Sequence, residues 1–440
     1  MTHSGLDRML AAWLPEQRWF AGGQAAAREI EIRSDVRLAD GDPELRHLIV
    51  DAGAGRDLVS YQVLVGAAAA VPPELARARI GELADGRIAY DGAADPRLAA
   101  VLLSGIAGGR TAGPIRFTAQ PGAVIDASAA GRMLPALASN TSVVFGDQAI
   151  LKLLRRPQQG DHPDFEIPAA LAAGGSKLVA PPLGRIEMSA GAGEPVLLGI
   201  LSEFFPHASD GWSLALANLH APSPDFAGQA RLLGETTARM HAELAAAFGT
   251  SVLSGAELAE FAQQLAAELT QAVAVVPQVG EYEAAIGSCY AELTEPGQRV
   301  RTQRVHGDYH LGQVLSASGG WVVLDFEGEP SVPLDRRRAF GPAQRDVAGM
   351  LRSFDYAARH QVLAQPASSS LSSAAARWAS SCQQAFCDGY ADVSGADPRG
   401  TGPLLRALTY SKAVYEAVYE VRHRPDWLPI PLAALAEANR

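Results

Sequence analysis

The sequence predicts an α+β protein with strands concentrated in its N-terminal part and helices in its C-terminal part. Three observations carry this. Apolar residues alternate with period two in the first ninety positions, as in Val59-Ser60-Tyr61-Gln62-Val63-Leu64-Val65, which predicts strands with one buried face. Two apolar runs, 142–145 and 149–154, flank Gly146-Asp147-Gln148 and predict a hairpin. Beyond residue 201, apolar residues recur every three or four positions over 232–248 and 256–275, the spacing of helices with one buried stripe.

In chain order, residues 1–90 form a strand-rich N-terminal domain. His47-Leu48-Ile49-Val50 is a second apolar run there, and Asp40-Gly41-Asp42-Pro43 and Asp51-Ala52-Gly53 are turn chemistry. Residues 91–201 mix short helices with strands, and residues 202–440 are mostly helical, with a Ser-rich loop expected at 368–373. At 440 residues and 48% hydrophobic composition, the chain can bury its cores without disulfides or structural metals.

Charge and cysteine content exclude several classes. Thirty-seven basic against 48 acidic residues leave a net charge of −11, which repels a phosphate backbone, so no nucleic-acid partner is expected. The basic clusters Arg155-Arg156 and Arg336-Arg337-Arg338 are short enough to be solvated faces or local ion pairs. Cys289, Cys382 and Cys387 lack C-x-x-C spacing and fit a reducing cytoplasm. The N-terminus does not resemble a signal peptide, and no apolar run approaches the ~20 residues that span a bilayer. A cytoplasmic location without membrane attachment follows as an expectation.

The chemistry concentrates in VHGDYHLGQVL (305–315) and WVVLDFEGEP (321–330). Phosphoryl transfer from ATP needs a carboxylate near the acceptor hydroxyl, oxygen ligands for magnesium, and a cation on the phosphates. Asp308 and Gln313 stand five residues apart, as the catalytic Asp and metal-binding amide of a kinase catalytic loop do. The apolar strand 321–324 delivers Asp325 as a second metal ligand, and Glu327 projects from the same side if the backbone stays extended. Lys152, inside an apolar strand, needs a partner, and Glu166 is the candidate beside ATP phosphate. The turn Ser139-Asn140-Thr141-Ser142 could offer N–H groups and hydroxyls to phosphate, although no Walker sequence occurs. Each residue alone has a plainer use: Asp308 in a turn, Asp325 as a helix cap, Lys152 reaching from a sheet edge. His306 and His310 could be a metal pair, but Gly307 between them argues against the helix this would need.

These motifs resemble the aminoglycoside-phosphotransferase-like kinases, and among them the actinobacterial maltokinase family. The resemblance extends to 13–22 (WLPEQRWFAG), 140–156 (NTSVVFGDQAILKLLRR), 163–167 (PDFEI), 345–358 (RDVAGMLRSFDYAA) and 415–432 (YEAVYEVRHRPDWLPIPL). It implies a bilobal, protein-kinase-like fold with an N-terminal cap domain at 1–90, an N-lobe at 91–201 and a helical C-lobe at 202–440. It also implies ATP and Mg2+ as cofactors, a small-molecule sugar as acceptor, Asp308 as base, and Gln313, Asp325 and Glu327 at the metal. Lys152, Glu166, Ser142, Glu203 and Phe205 would serve the nucleotide. Two departures stand out, Gly22-Gly23 after the aromatic motif and Ser411-Lys412 before the Tyr-Glu repeat.

The family's glucosamine kinase branch is similar in Gln303, His306 and Asp308 and in the acidic last helix. There Tyr415-Glu416 and Tyr419-Glu420 set two carboxylates on one helix face, suited to an amino sugar. Ion pairing of Glu416 and Glu420 with Lys412, Arg422 or Arg424 is the plainer use of both. Glucosamine, giving glucosamine 6-phosphate, is therefore the expected acceptor. Maltose, giving maltose 1-phosphate, another amine-bearing acceptor, and a non-catalytic binding module are the alternatives.

Overall fold

The computed structural model describes residues 3–55, 58–135, 140–189, 191, 193–221, 223–317, 319–329, 332–363 and 369–439. They divide into two compact units, Met1–Ala169 with Ala180–Pro206, and Ala170–Val179 with His207–Arg440.

In the first unit, helices α1 (His3–Trp13) and α2 (Gly23–Ala26) precede strands β1 (Ile30–Ala39), β2 (Glu44–Ala52), β3 (Val59–Ala68), β4 (Arg79–Glu82) and β5 (Ile88–Asp91). The strands form an antiparallel sheet in the order β1-β2-β3-β5-β4. The alternation in β2 and β3 is real, but it separates two buried faces instead of one buried and one wet. Leu48, Val50, Tyr61, Val63 and Val65 pack with Leu6, Leu10 and Trp13 of α1. On the other face, Leu45, Ile49 and Leu64 join a core that includes helix α3 (Pro96–Ala107).

That second core continues without interruption into the next sheet. Strands β6 (Thr111–Ala112), β7 (Ile115–Ala119), β8 (Gly131–Met133), β9 (Thr141–Phe145), β10 (Ala149–Leu153), β11 (Pro182–Met188) and β12 (Val196–Glu203) pair in the order β6-β7-β11-β12-β10-β9-β8. Ile106, Phe117, Phe145, Leu151 and Leu201 belong to the same cluster as Leu45 and Leu64, so one core draws on residues from both sides of position 90. The hairpin between β9 and β10 forms as the sequence predicts, with Gly146 supplying the positive φ its turn requires. Helix α4 (Pro163–Ala173) follows β10.

Polar ties lock the two sheets of this unit. Arg155 is neither a solvated residue nor a local partner. It is 1% exposed, bonds Asp91 at 2.6 Å and Thr141 at 2.8 Å, and lies over the Trp19 ring at 4.6 Å. Gln62 donates to the carbonyls of Leu154 and Leu198 and accepts from His47 Nε2 at 3.1 Å.

The second unit carries β13 (Ser209–Asp210), α5 (Gly211–Leu219), α6 (Ala227–Phe248), β14 (Thr250–Ser254), α7 (Ala256–Val275), α8 (Glu283–Glu292) and β15 (Arg299–Gln303). It continues with β16 (Val314–Ala317), β17 (Gly320–Val323), α9 (Leu334–Arg337), α10 (Gln344–Leu363), α11 (Ser369–Ser394), α12 (Gly402–His423) and α13 (Pro429–Leu435). The Ser-rich segment expected as a loop is instead the first turn of α11 from Ser369 onward; Ser368 lies outside the described residues. Burial of Ala375, Trp378, Ala379 and Cys382 along one stripe overrides the weak local preference of serine. Helices α6 and α11 cross at backbone distance. A Cβ on Gly234 would lie 2.0 Å from the Phe386 carbonyl oxygen, and one on Gly389 would lie 2.1 Å from that of Arg231. Among the described residues, no helix is long and apolar enough to cross a membrane.

His47 generates a pH prediction. Burial, offset in part by the Gln62 bond, lowers its pKa to about 4, and its Nδ1 has no hydrogen-bond partner that would welcome a proton. The unfolded chain takes up that proton near pH 6.5, the folded chain only near pH 4. Stability is therefore full above pH 6.5 and falls as pH drops through this window, by about 3 kcal/mol in all. Urea unfolding of His47→Gln at pH 7 and pH 4.5 should lack that decrement.

Candidate active site

The second unit builds its site on one segment, 304–313, between β15 and β16. Its geometry is set by Asp346 in the first turn of α10, a residue with no solvent exposure. Asp346 Oδ2 accepts from the backbone N–H of His306 at 2.8 Å and from His241 Nε2 at 3.0 Å, and Oδ1 accepts from the N–H of Gly307 at 2.9 Å. Burial alone would raise this carboxyl, but the His241 bond and charge, with the backbone donors, hold it below the ordinary range. Gly307 is needed at φ 86°, and Gly349 lets α10 approach so closely that a Cβ there would sit 2.4 Å from the Tyr309 carbonyl oxygen.

His306 is 1% exposed and braces two chain segments. Nε2–H donates to the Leu324 carbonyl at 2.8 Å, and Nδ1 accepts from the N–H of Asp308 at 3.3 Å. The residue before Asp325 is thereby tied to the one that bears Asp308. Downstream, Gln313 Nε2 donates to Asp325 Oδ2 at 3.0 Å, and the N–H of Leu324 donates to the Gln313 carbonyl at 2.9 Å. Asp325 is the one described non-glycine residue with positive φ, at 63°. That left-handed turn, continued through Phe326 and Glu327, breaks the extended backbone on which the placement of Glu327 relied. The Glu327 carbonyl accepts from Arg337.

Asp308 is held from α12. Lys412 Nζ lies 2.7 Å from Asp308 Oδ1 and 3.1 Å from Glu329 Oε1, while His310 Nε2 is 4.0 Å from Asp308 Oδ2. Burial opposes ionisation of Asp308, but the charges of Lys412 and His310 outweigh it and push the carboxyl well below its usual range. The same ion pairs raise Lys412 against the desolvation that would lower it.

Several expected sugar contacts are engaged elsewhere. Gln303 is buried and donates to the His241 carbonyl at 2.7 Å, and both His306 nitrogens are used as described. Glu416 is bound by Arg352 at 2.6 Å, a partner 64 positions away that the helix-face reading did not include. Burial raises the Glu416 carboxyl, with Arg352 opposing. Glu420, 2% exposed, accepts from Tyr356 at 2.6 Å and pairs with Arg424 at 2.7 Å. Glu420 thus makes the Arg424 pair that was its plainer use, whereas the partner of Glu416 is none of those offered by the sequence. Tyr415 lies under the Lys412 ammonium at 4.5 Å and stacks on Tyr419.

In the first unit, Lys152 on β10 stands opposite Ser142 of β9 and Ile200 of β12. Its ammonium is 2.7 Å from Asp164 Oδ2, on α4 two residues before Glu166, a partner the sequence reading did not name. β12 ends at exposed Glu203, whose N–H donates to the Pro181 carbonyl; the N–H of Phe204 donates to that of Gln148, and half-buried Phe205 follows. Ser139 lies outside the described residues.

Residues 13–95 match the maltokinase N-terminal cap domain and residues 214–355 the phosphotransferase enzyme family. A glucosamine kinase of Streptacidiphilus jiangxiensis is 36% identical over 317 residues, 68% of this chain and 71% of that one. The chain belongs to the maltokinase-like kinases, in their glucosamine kinase branch. A second glucosamine kinase, from Mycolicibacterium smegmatis, is 30% identical over 68% of this chain and 76% of its own. Among solved structures, a glucosamine kinase in complex with glucosamine, ADP and inorganic phosphate matches 93% of both chains at 28% identity and a TM-score of 0.68. A glucosamine kinase crystal form matches 98% of both chains with a TM-score of 0.71. The sequence-based assignment to this kinase family and fold therefore stands.

Asp346 supplies the test of this architecture. Asp346→Asn places an amide where three donors converge, and we expect a loss of about 3 kcal/mol or more in urea unfolding. Because the native carboxyl is depressed, its stabilisation is present above the unfolded carboxylate pKa of ~3.9 and lost as pH falls through the native value. The variant should lose that part of the acid dependence.

Proposed function

We propose that this chain transfers the γ-phosphoryl group of ATP to the 6-hydroxyl of glucosamine, with magnesium. The observation that carries the reading is the 36% identity to a glucosamine kinase over most of both chains. It is supported by an Asp308 carboxylate that Lys412 keeps ionised, on a segment that His306 ties to the residue before Asp325. Lys412 on one oxygen leaves the other, Oδ2, to take the acceptor hydroxyl's proton. As the sugar oxygen bonds to the γ-phosphorus, the bond to the β-bridging oxygen breaks and ADP departs, an in-line displacement governed mainly by positioning.

Gln313 and Asp325 fit magnesium by donor chemistry. They are two oxygen-bearing side chains within hydrogen-bond reach, and magnesium takes few protein ligands beside waters and substrate phosphates. Bound there, the ion would offset phosphate charge. Lys152, positioned by Asp164, is the cation for the nucleotide, and the chain after β12 is the segment for adenine. With Glu416 and Glu420 engaged by arginines, the amino-sugar assignment rests on the relatives and not on those carboxylates. Cys289, Cys382 and Cys387 are buried as free thiols, which suits a reducing cytoplasm.

Assay of the purified chain with Mg-ATP against glucosamine and maltose should give glucosamine 6-phosphate at far the higher kcat/KM. Turnover of maltose alone would overturn the acceptor, and ATP binding without a phosphorylated product would reduce the chain to a binding module. Asp308→Asn should lower kcat at least ~100-fold, the scale of general-base catalysis, with KM for ATP little changed. Asp325→Ala should instead raise the magnesium concentration needed for half-maximal rate, read by metal titration.

A further inference from the structure

The kinase reading assigns the proton to Asp308 but does not say what aims it. We infer that Lys412 is the positioning residue of the base, holding Asp308 Oδ1 so that Oδ2 faces the acceptor hydroxyl, with Glu329 fixing Lys412 from its far side. This rests on the reading of Asp308 given above.

The geometry is overdetermined. Lys412 projects from the middle of α12, a helix of 22 residues, and its side chain is 14% exposed. Its ammonium meets Asp308 at 2.7 Å, Glu329 at 3.1 Å and the face of Tyr415 at 4.5 Å. A lysine with only one carboxylate partner could swing with it, whereas one gripped on three sides transmits the rigidity of α12 to Asp308. The other titratable groups facing Asp308 are His310, 4.0 Å from Oδ2, and His306 on its own segment; Asp325 acts on His310. None of these grips Oδ1.

Pairing with a cation weakens Asp308 as a base, which would be a poor arrangement if proton abstraction set the rate. Phosphoryl transfer passes through a loose transition state in which the acceptor keeps its proton late, so orientation counts for more than basicity. The inference thus predicts an unusual combination: removing Lys412 makes Asp308 a stronger base and the enzyme a slower one.

Lys412→Met keeps length and removes charge. Against glucosamine, kcat should fall at least ~30-fold with KM for ATP within about threefold, because misdirection of a reacting group costs rate and not nucleotide binding. The acid limb of kcat/KM should rise by at least about one pH unit. Taking the ratio of variant to parent rates at each pH cancels the titration of the substrate amine. Lys412→Arg should return the limb towards the parent position and recover part of kcat. If Lys412→Met does not fold, the double variant Lys412→Met/Glu329→Gln removes both charges of the pair and should show the same shift. A uniform loss with an unmoved limb, or a raised KM for ATP with unchanged kcat, would overturn the inference. The Asp308 carboxyl 13C signal, assigned against Asp308→Asn, separates this from failure of the kinase reading. Its titration midpoint must rise in Lys412→Met whatever acceptor the parent uses, and an unmoved midpoint sinks the positioning role. Absence of glucosamine turnover by the parent sinks the function instead.

Discussion

A single carboxylate sealed from water underlies the second unit. Asp346 accepts two backbone N–H groups from consecutive residues and one imidazole N–H, so a fully buried charge is offset by donors on three sides. Burying a carboxylate without such partners costs several kcal/mol, so the loop has one position in which Asp346 is satisfied. Everything downstream inherits that position: His306 is placed, its ring reaches Leu324, and the ends of two chain segments are joined.

The site's charges are arranged as opposed pairs and not as a field. The chain is acidic overall, yet Asp308 and Glu329 share Lys412, Glu416 and Asp355 share Arg352, and Glu420 binds Arg424. Such partly buried pairs add little net stability compared with apolar packing, because desolvation offsets much of their attraction. Their value lies in geometry, since each fixes a side chain of α10 or α12 at a defined angle. Aromatic rings fill the space between them, with Tyr356 contacting both Trp212 and Trp427.

What the sequence made legible follows the range of the interactions involved. The β9–β10 hairpin and the helices α6 and α7 depend on neighbours within a few positions, so periodicity and turn residues sufficed. The nearness of Gln313 to Asp325 was legible because short motifs carry both residues. Arg352, Asp346 and the pairing role of Lys412 were not. Their partners lie 64, 40 and 104 positions away, and nothing local distinguishes such a residue from one on a solvated face. Glu416 and Glu420 illustrate the converse: helical spacing set them on one face and offered Arg424 as a partner, but could not say that Arg352 from α10 meets Glu416. The placement of Glu327 rested on an extended backbone, and Asp325 two positions before it turns left-handed.

Asp325 narrows what this position can become. An L-residue rarely holds φ near 63°, and only glycine, asparagine and aspartate do so at small cost. Glycine would relax the backbone but delete the side chain, and asparagine would keep the shape while losing the negative charge. Conformation and charge together thus leave aspartate with no full substitute, so drift at this codon cannot be gradual. Any lineage that abandons it must abandon the turn or the negative charge in a single step.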